Sequence, residues 1–392
     1  ICPMKASQFA PVALAFALSA NVFCADQTTS VRPRGKLFED PSFFPIAVWL
    51  QSPRNAERFK AAGINVYVGL HRGPTEEQLE ALQKAGMHVI CSQNRVGLEN
   101  KDNPIIVAWM HGDEPDNAQS LGQGKGWGPP IPPEKIQEDY ERLRSRDPSR
   151  PVLLNLGQGV AWDNWIGRGV RRNHPEDYPK YIQGGDIISF DIYPVVHDNP
   201  EVAGKLEFVA HGVKRLRDWS EGKKTIWNCI EAARISNPET KATPEQIRAE
   251  IWMSLIHGSQ GIIYFVHQFE PNFKEASLLD DPVTLAGVTK INAQIKELAP
   301  VLNSPTITGK FTSKSSDEAV PIASMTKERD GDLYLFTVAM ANKATTGTFN
   351  GSELRKYGTV EVLGESRTIT ITNGAFKDGY APYGVHLYRV SK

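Results

Sequence analysis

From residue 44 onward the chain alternates between short apolar runs and stretches whose apolar residues recur at helical spacing. The runs are "FPIAVWL", "INVYVGL", "MHVICSQN", "IIVAWMH", "PVLLNLGQG", "DIISFDIYPV", "KTIWNCIEAA" and "GIIYFVHQF". Each is apolar without a polar alternate, as strands are when both faces of a sheet are covered. Between them lie amphipathic segments such as "TEEQLEALQKAG", "PPEKIQEDYERLRSR" and "TPEQIRAEIWMSLIHGSQ". The link after the third run, "RVGLENKDNP", is short and the weakest helical candidate. Strand–helix alternation predicts a parallel sheet with right-handed crossovers. Glycine pairs the helix ends with the next strand in "AAG-IN", "KAG-MH" and "QGG-DI", where a left-handed cap is expected. Eight strands over residues 44–302 match the ~250 residues of a (β/α)8 TIM barrel. No glycine-rich phosphate turn follows the first strand, which argues against a doubly wound sheet.

The pattern changes after residue 302. "IASMTKERDGDLYLFTVAMAN", "GTVEVLG", "RTITITNGAF" and "YGVHLYRV" alternate apolar with polar and carry Asp-Gly and Asn-Gly turns, the signature of antiparallel strands. Residues 303–392 therefore read as a small C-terminal β-sandwich that caps the barrel. At the other end, Lys5 followed by the apolar stretch Phe9–Ala20 and "NVFCAD" reads as a signal peptide. The expected organisation is a leader over 1–25, a lead-in over 26–43, the barrel over 44–302 and the β-domain over 303–392. The leader implies a secreted or periplasmic protein.

Composition narrows the function. The formal net charge of −1 over 392 residues offers no basic face for nucleic acid, and no stretch after the leader is apolar enough to span a membrane. Cys91 and Cys229 fall within strands and read as buried thiols. His71, His111 and His267 lie on different strand ends without a metal-binding spacing, so no metal or other cofactor is expected.

In a barrel of this kind the chemistry sits at the carboxyl ends of the strands. The fourth strand runs into "HGDEPDN", which crowds His111, Asp113, Glu114 and Asp116 together. Such crowding raises carboxyl pKa values. Asp113 is a candidate for a sugar hydroxyl, whereas Asp116 is expected to cap the following segment. The seventh strand closes on Glu231. Two carboxyl groups across a cleft suit glycoside hydrolysis, one protonating the leaving oxygen and the other attacking or activating water. The remaining strand ends offer Trp49, His71, Asn94, Asn155, Asp191, Tyr193 and His267 as substrate-binding groups. Trp127, Trp162 and Trp165 lie in loops after strands four and five and could stack on sugar rings; Arg168, Arg171 and Arg172 beside them are expected to be solvated charges.

On these residues the chain resembles the clan A glycoside hydrolases, retaining (β/α)8 enzymes with an acid/base glutamate after strand four and a nucleophile glutamate after strand seven. The resemblance covers about residues 44–302 and implies Glu114 as acid/base, Glu231 as nucleophile, Tyr193 as a contact of the nucleophile and a β-linked poly- or oligosaccharide as substrate. Asp113 stands where that clan has asparagine. Two alternatives stay open. One is an inverting reaction that pairs Asp191 or Glu270 with Glu114, and the other is a barrel that binds carbohydrate without cleaving it.

Overall fold

The structure, a computed structural model, describes residues 31–391; the leader-like segment lies outside them. Nine short parallel segments form one sheet: β1 (Ile46–Trp49), β2 (Val66–Val68), β3 (His88–Cys91), β4 (Ile106–Asp113), β5 (Val152–Leu156), β6 (Ile187–Phe190), β7 (Thr225–Ile226), β8 (Asn228–Glu231) and β9 (Ile262–Phe265). β7 and β8 are two halves of one position, broken at Trp227. The first half pairs with β6 and the second with β9, and β9 pairs with β1. The sheet closes as an eight-position TIM barrel.

Continuous apolarity has its expected cause, since alternate residues serve two cores. Ala47, Val66, Ile90, Ala108, Leu153, Ile187, Cys229 and Ile263 fill the lumen. Their neighbours Ile46, Val48, Val89, Leu154, Ile188 and Ile262 pack outward under the helices. Phe38, from the lead-in, joins the lumen cluster and meets Trp227 edge-on at 6.2 Å.

Helix ends follow local chemistry. Thr75 and Gln78 form a capping box at the start of Glu76–Ala85, which stops at Gly86 in the left-handed conformation (φ 65°). The "QGG" turn works differently from expectation. Gly185 is extended, and Gly184 is required by space, because a Cβ there would meet Ile136 Cγ2 at 2.4 Å. Among the described residues, no helix is long and apolar enough to cross a membrane.

The C-terminal part holds two antiparallel sheets. β10 (Thr306–Ile307), β12 (Ile322–Arg329), β13 (Asp332–Ala339), β15 (Thr359–Val362), β16 (Arg367–Thr370) and β18 (Val385–Val390) form the larger one. β11 (Thr312–Ser315), β14 (Thr345–Asn350) and β17 (Ala375–Tyr380) form the smaller. β10 and β11, at sheet edges, and β14, the middle strand of the smaller sheet, escape the apolar pattern because they are two-residue or polar segments such as "TTGTFN". Phe336 of β13 packs on Trp252 of the helix Pro244–Ile256, ring centroids 5.1 Å apart. Ala323, Met325, Val338 and Leu387 belong to the same apolar cluster as the barrel's helix layer. Arg248 and Tyr383 add hydrogen bonds to Val385 and Gly204 carbonyls.

A shared core predicts shared unfolding. Trp252→Ala should cost about 3–5 kcal/mol, and fluorescence and circular dichroism should report one denaturation midpoint for both parts; two separated transitions would contradict this.

Candidate active site

Site geometry begins with an irregularity in β4. Met110 pairs with Leu153 but Asp113 pairs with Asn155, so β4 carries one residue more than β5 across this interval. A bulge of this kind re-aims the side chains beyond it. His111, at the bulge, turns into the helix layer, its ring nitrogens on the Ile136 carbonyl (3.1 Å) and the Gly112 amide (2.6 Å). Past it, Asp113 and Glu114 face a cavity at the carboxyl end of the barrel. Glu114 adopts a left-handed backbone (φ 42°) and donates its amide to the Asn155 carbonyl at 3.0 Å. A non-glycine residue there costs about 1–2 kcal/mol, a strain that the surrounding hydrogen bonds hold in place.

The cavity measures about 760 Å³, within the range of ligand sites. Trp49, His71, Asp113, Glu114, Asn155, Asp191, Tyr193 and His267 line it. Three carboxyl groups therefore converge. Asp113 accepts a hydrogen bond from Asn155 Nδ2 at 3.0 Å, and Asn155 Oδ1 accepts one from Ser189 at 2.7 Å, which fixes the amide's orientation. Glu114 and Asp191 lie close enough to shift each other, with the Tyr193 hydroxyl beside Asp191.

Burial is the largest influence on all three acids and raises each of them; the mutual repulsion of Asp191, Asp113 and Asp116 raises Glu114 further. Hydrogen bonds from Glu114 and Tyr193 oppose the rise at Asp191. Both carboxyl groups are thus held above the usual carboxylate range, Glu114 the more strongly, and the pair favours keeping a proton. Asp191 Oδ1 is buried without a donor.

Other expected residues lie elsewhere. The pairing of Glu114 with Glu231 across the mouth does not form. Glu231 is fully buried outside the cavity, its two oxygens accepting the amides of Val195 (2.7 Å) and Val196 (3.0 Å). Beside it lies Glu250, a buried acid of the helix Pro244–Ile256, and each of the two shifts the other. The lone pairs of Glu231 are committed to bracing the segment that follows β6, which carries Tyr193. Asn94 caps the short helix Arg95–Glu99 through Gly97 N and donates to the Pro74 carbonyl. Trp162 is bound to Glu201 (2.7 Å) and packs on His197, and Trp165 is bound to Asn117. Neither tryptophan lines the cavity, nor does the exposed Trp127 or Glu270.

Asp116 is no exposed cap. It is fully buried and accepts from Gly157 N and the Tyr178 hydroxyl, tying the loop after β4 to the loop after β5. Arg168 is likewise buried, paired with Asp177 at 2.8 Å and bonded to the Asp116 carbonyl, rather than solvated. Unforeseen in the sequence were Gln51, Cys229, Phe265, Phe269, Phe273 and Glu275 on the cavity wall. The four-residue spacing of phenylalanines in "FVHQFEPNF" was the available signal for three of them.

No protein-family model matches the chain, and no curated protein matches it. Among solved structures it is similar to an α-amylase from Geobacillus thermoleovorans complexed with acarbose. That match has 11% identity and a TM-score of 0.51, and covers 90% of this chain and 99% of that one. It is similar to the same degree to a candidate α-galactosidase from Bacteroides fragilis, with 11% identity, TM-score 0.51, and 90% and 80% covered. At this identity the likeness establishes the shared fold.

The Glu231–Glu250 pair gives a pH test. Burial raises both acids, foremost among the causes. The folded chain therefore keeps a proton that the unfolded chain releases at about pH 4.3. The stabilisation is full below that pH and is lost as pH rises through the raised range. Glu250→Gln should flatten the loss of melting temperature between pH 5 and pH 8 relative to the parent protein; parallel curves would refute the retained proton.

Proposed function

We propose that the protein is a glycoside hydrolase in which Glu114 is the general acid and Asp191 its partner base. The observation that carries this reading is the convergence of Asp113, Glu114 and Asp191 on one cavity, where burial raises all three and the neighbouring acids raise Glu114 further. Entry of the glycosidic oxygen would part Glu114 from Asp191. Glu114 gives its proton to the leaving oxygen as the C1–O bond breaks; water bonds to C1 and gives a proton back to the Glu114–Asp191 pair, which restores the starting state. Asp113, held by Asn155, is positioned to accept a sugar hydroxyl. Neighbouring structures named as an α-amylase and a candidate α-galactosidase show that this fold carries sugar chemistry in other proteins, which supports the reaction class alone. Export belongs to the reading on the strength of the leader-like segment.

A panel of aryl glycosides and polysaccharides tests this. Glu114→Gln and Asp191→Asn should each lower kcat by about 10²–10⁴, while Glu231→Gln, assayed where it is folded, retains most of it. A retained anomer together with azide rescue of Glu231→Ala would instead make Glu231 the nucleophile. Binding of glycans without turnover of any substrate would make the barrel a carbohydrate-binding protein.

A further inference from the structure

One wall of the cavity is aromatic from its base to its rim. Tyr193, which supports Asp191, meets Phe265 at 5.2 Å between ring centroids, and Phe265 meets His267 at 5.1 Å. His267 continues to Phe269 at 6.1 Å with planes 11° apart, and to Phe273 at 6.2 Å and 27°. The two outer rings are 46% and 63% exposed. Phenylalanines left uncovered in a loop mark a binding surface more often than a lone exposed residue does, because their hydration is unfavourable.

At the outer rim several polar groups are engaged with each other, while the buried Gln51 Oε1 and His267 Nδ1 on the same wall have no protein partner. Glu275 accepts from Ser52 N at 2.6 Å and pairs with Arg54 at 2.8 Å, and Gln51 Nε2 donates to the Glu275 carbonyl at 2.8 Å. Sugar recognition needs donors and acceptors around the ring as well as a flat face. The outer wall provides the flat face with rings that have no polar handle.

On the reading of Glu114 and Asp191 as the acid–base pair, we infer that this wall receives the leaving group, and that the leaving group is a planar, apolar aglycone rather than a further sugar. The aglycone would lie against Phe269 and Phe273, its linking oxygen toward Glu114, and depart along the wall to solvent.

The test uses 4-methylumbelliferone, a free planar aglycone, so that binding is read without turnover. The parent protein should bind it, and the Phe269→Ala/Phe273→Ala double variant about tenfold more weakly, with unchanged circular dichroism. Aryl glycosides cleaved by the parent should lose kcat/KM in the variant mainly through KM. No binding by the parent, or equal binding by both proteins, overturns the inference. It is also overturned if cello-, xylo- or malto-tetraose lose affinity in the variant while 4-methylumbelliferone does not, since the wall would then be a glycan platform. Phenylalanine-dependent binding of 4-methylumbelliferone with no hydrolysis of any glycoside would leave the aromatic site standing and remove the glycosidase reading.

Discussion

Neighbouring carboxylates cannot all stay ionised once they leave water, and the mouth of this barrel is arranged around that constraint. Glu114, Asp191 and Asp113 occupy one cavity, while Glu231 and Glu250 form a second pair between β8 and its covering helix. In each pair burial holds the acids above the usual carboxylate range and favours keeping a proton, while the Val195 and Val196 amides oppose the rise at Glu231 and the Tyr193 hydroxyl opposes it at Asp191. The two pairs serve different ends. The cavity pair has room beside it for a reactant, and its proton can be transferred. The pair at Glu231 has none and spends its hydrogen bonds on the segment that positions Tyr193.

Much of this architecture is written in local pattern. The eight barrel positions follow from apolar runs too short for helices, and their covering helices from periodicity and capping residues such as Thr75 and Thr243. The end of β4 was legible as a site because three acids in four positions make little sense on a buried strand unless protons are handled there. What those acids do was not legible. The bulge that sends His111 outward and Glu114 inward is a register difference between β4 and β5, set by pairing rather than by either sequence alone.

Glu231 shows the same limit from the other side. It ends an apolar strand as Glu114 does, and by strand position the two are equivalent. Their difference lies in residues distant in the chain: the amides of Val195 and Val196, and Glu250 on a helix buried nearly all round. Glu250 between Ala249 and Ile251, in a segment apolar on every face, was the one hint that an acid partner lay beneath the strand. Tryptophans misled for a related reason. Trp162 and Trp165 have the chemistry of sugar platforms, yet their indole N–H groups are bound to Glu201 and Asn117 in the rim. The rings that reach the cavity are phenylalanines of the loop after β9.

The account depends most on Glu114 carrying a proton at neutral pH. Infrared spectra of the parent protein and Glu114→Gln, recorded across the pH range, measure this directly through the protonated-carboxyl stretching band. A band at pH 7 in the parent that loses one component in Glu114→Gln, the component from the Glu231–Glu250 pair remaining in both, is the predicted result. Identical carboxyl bands in the two proteins at pH 7, with Glu114 titrating in the ordinary range near pH 4, would contradict the retained proton and the acid role built on it.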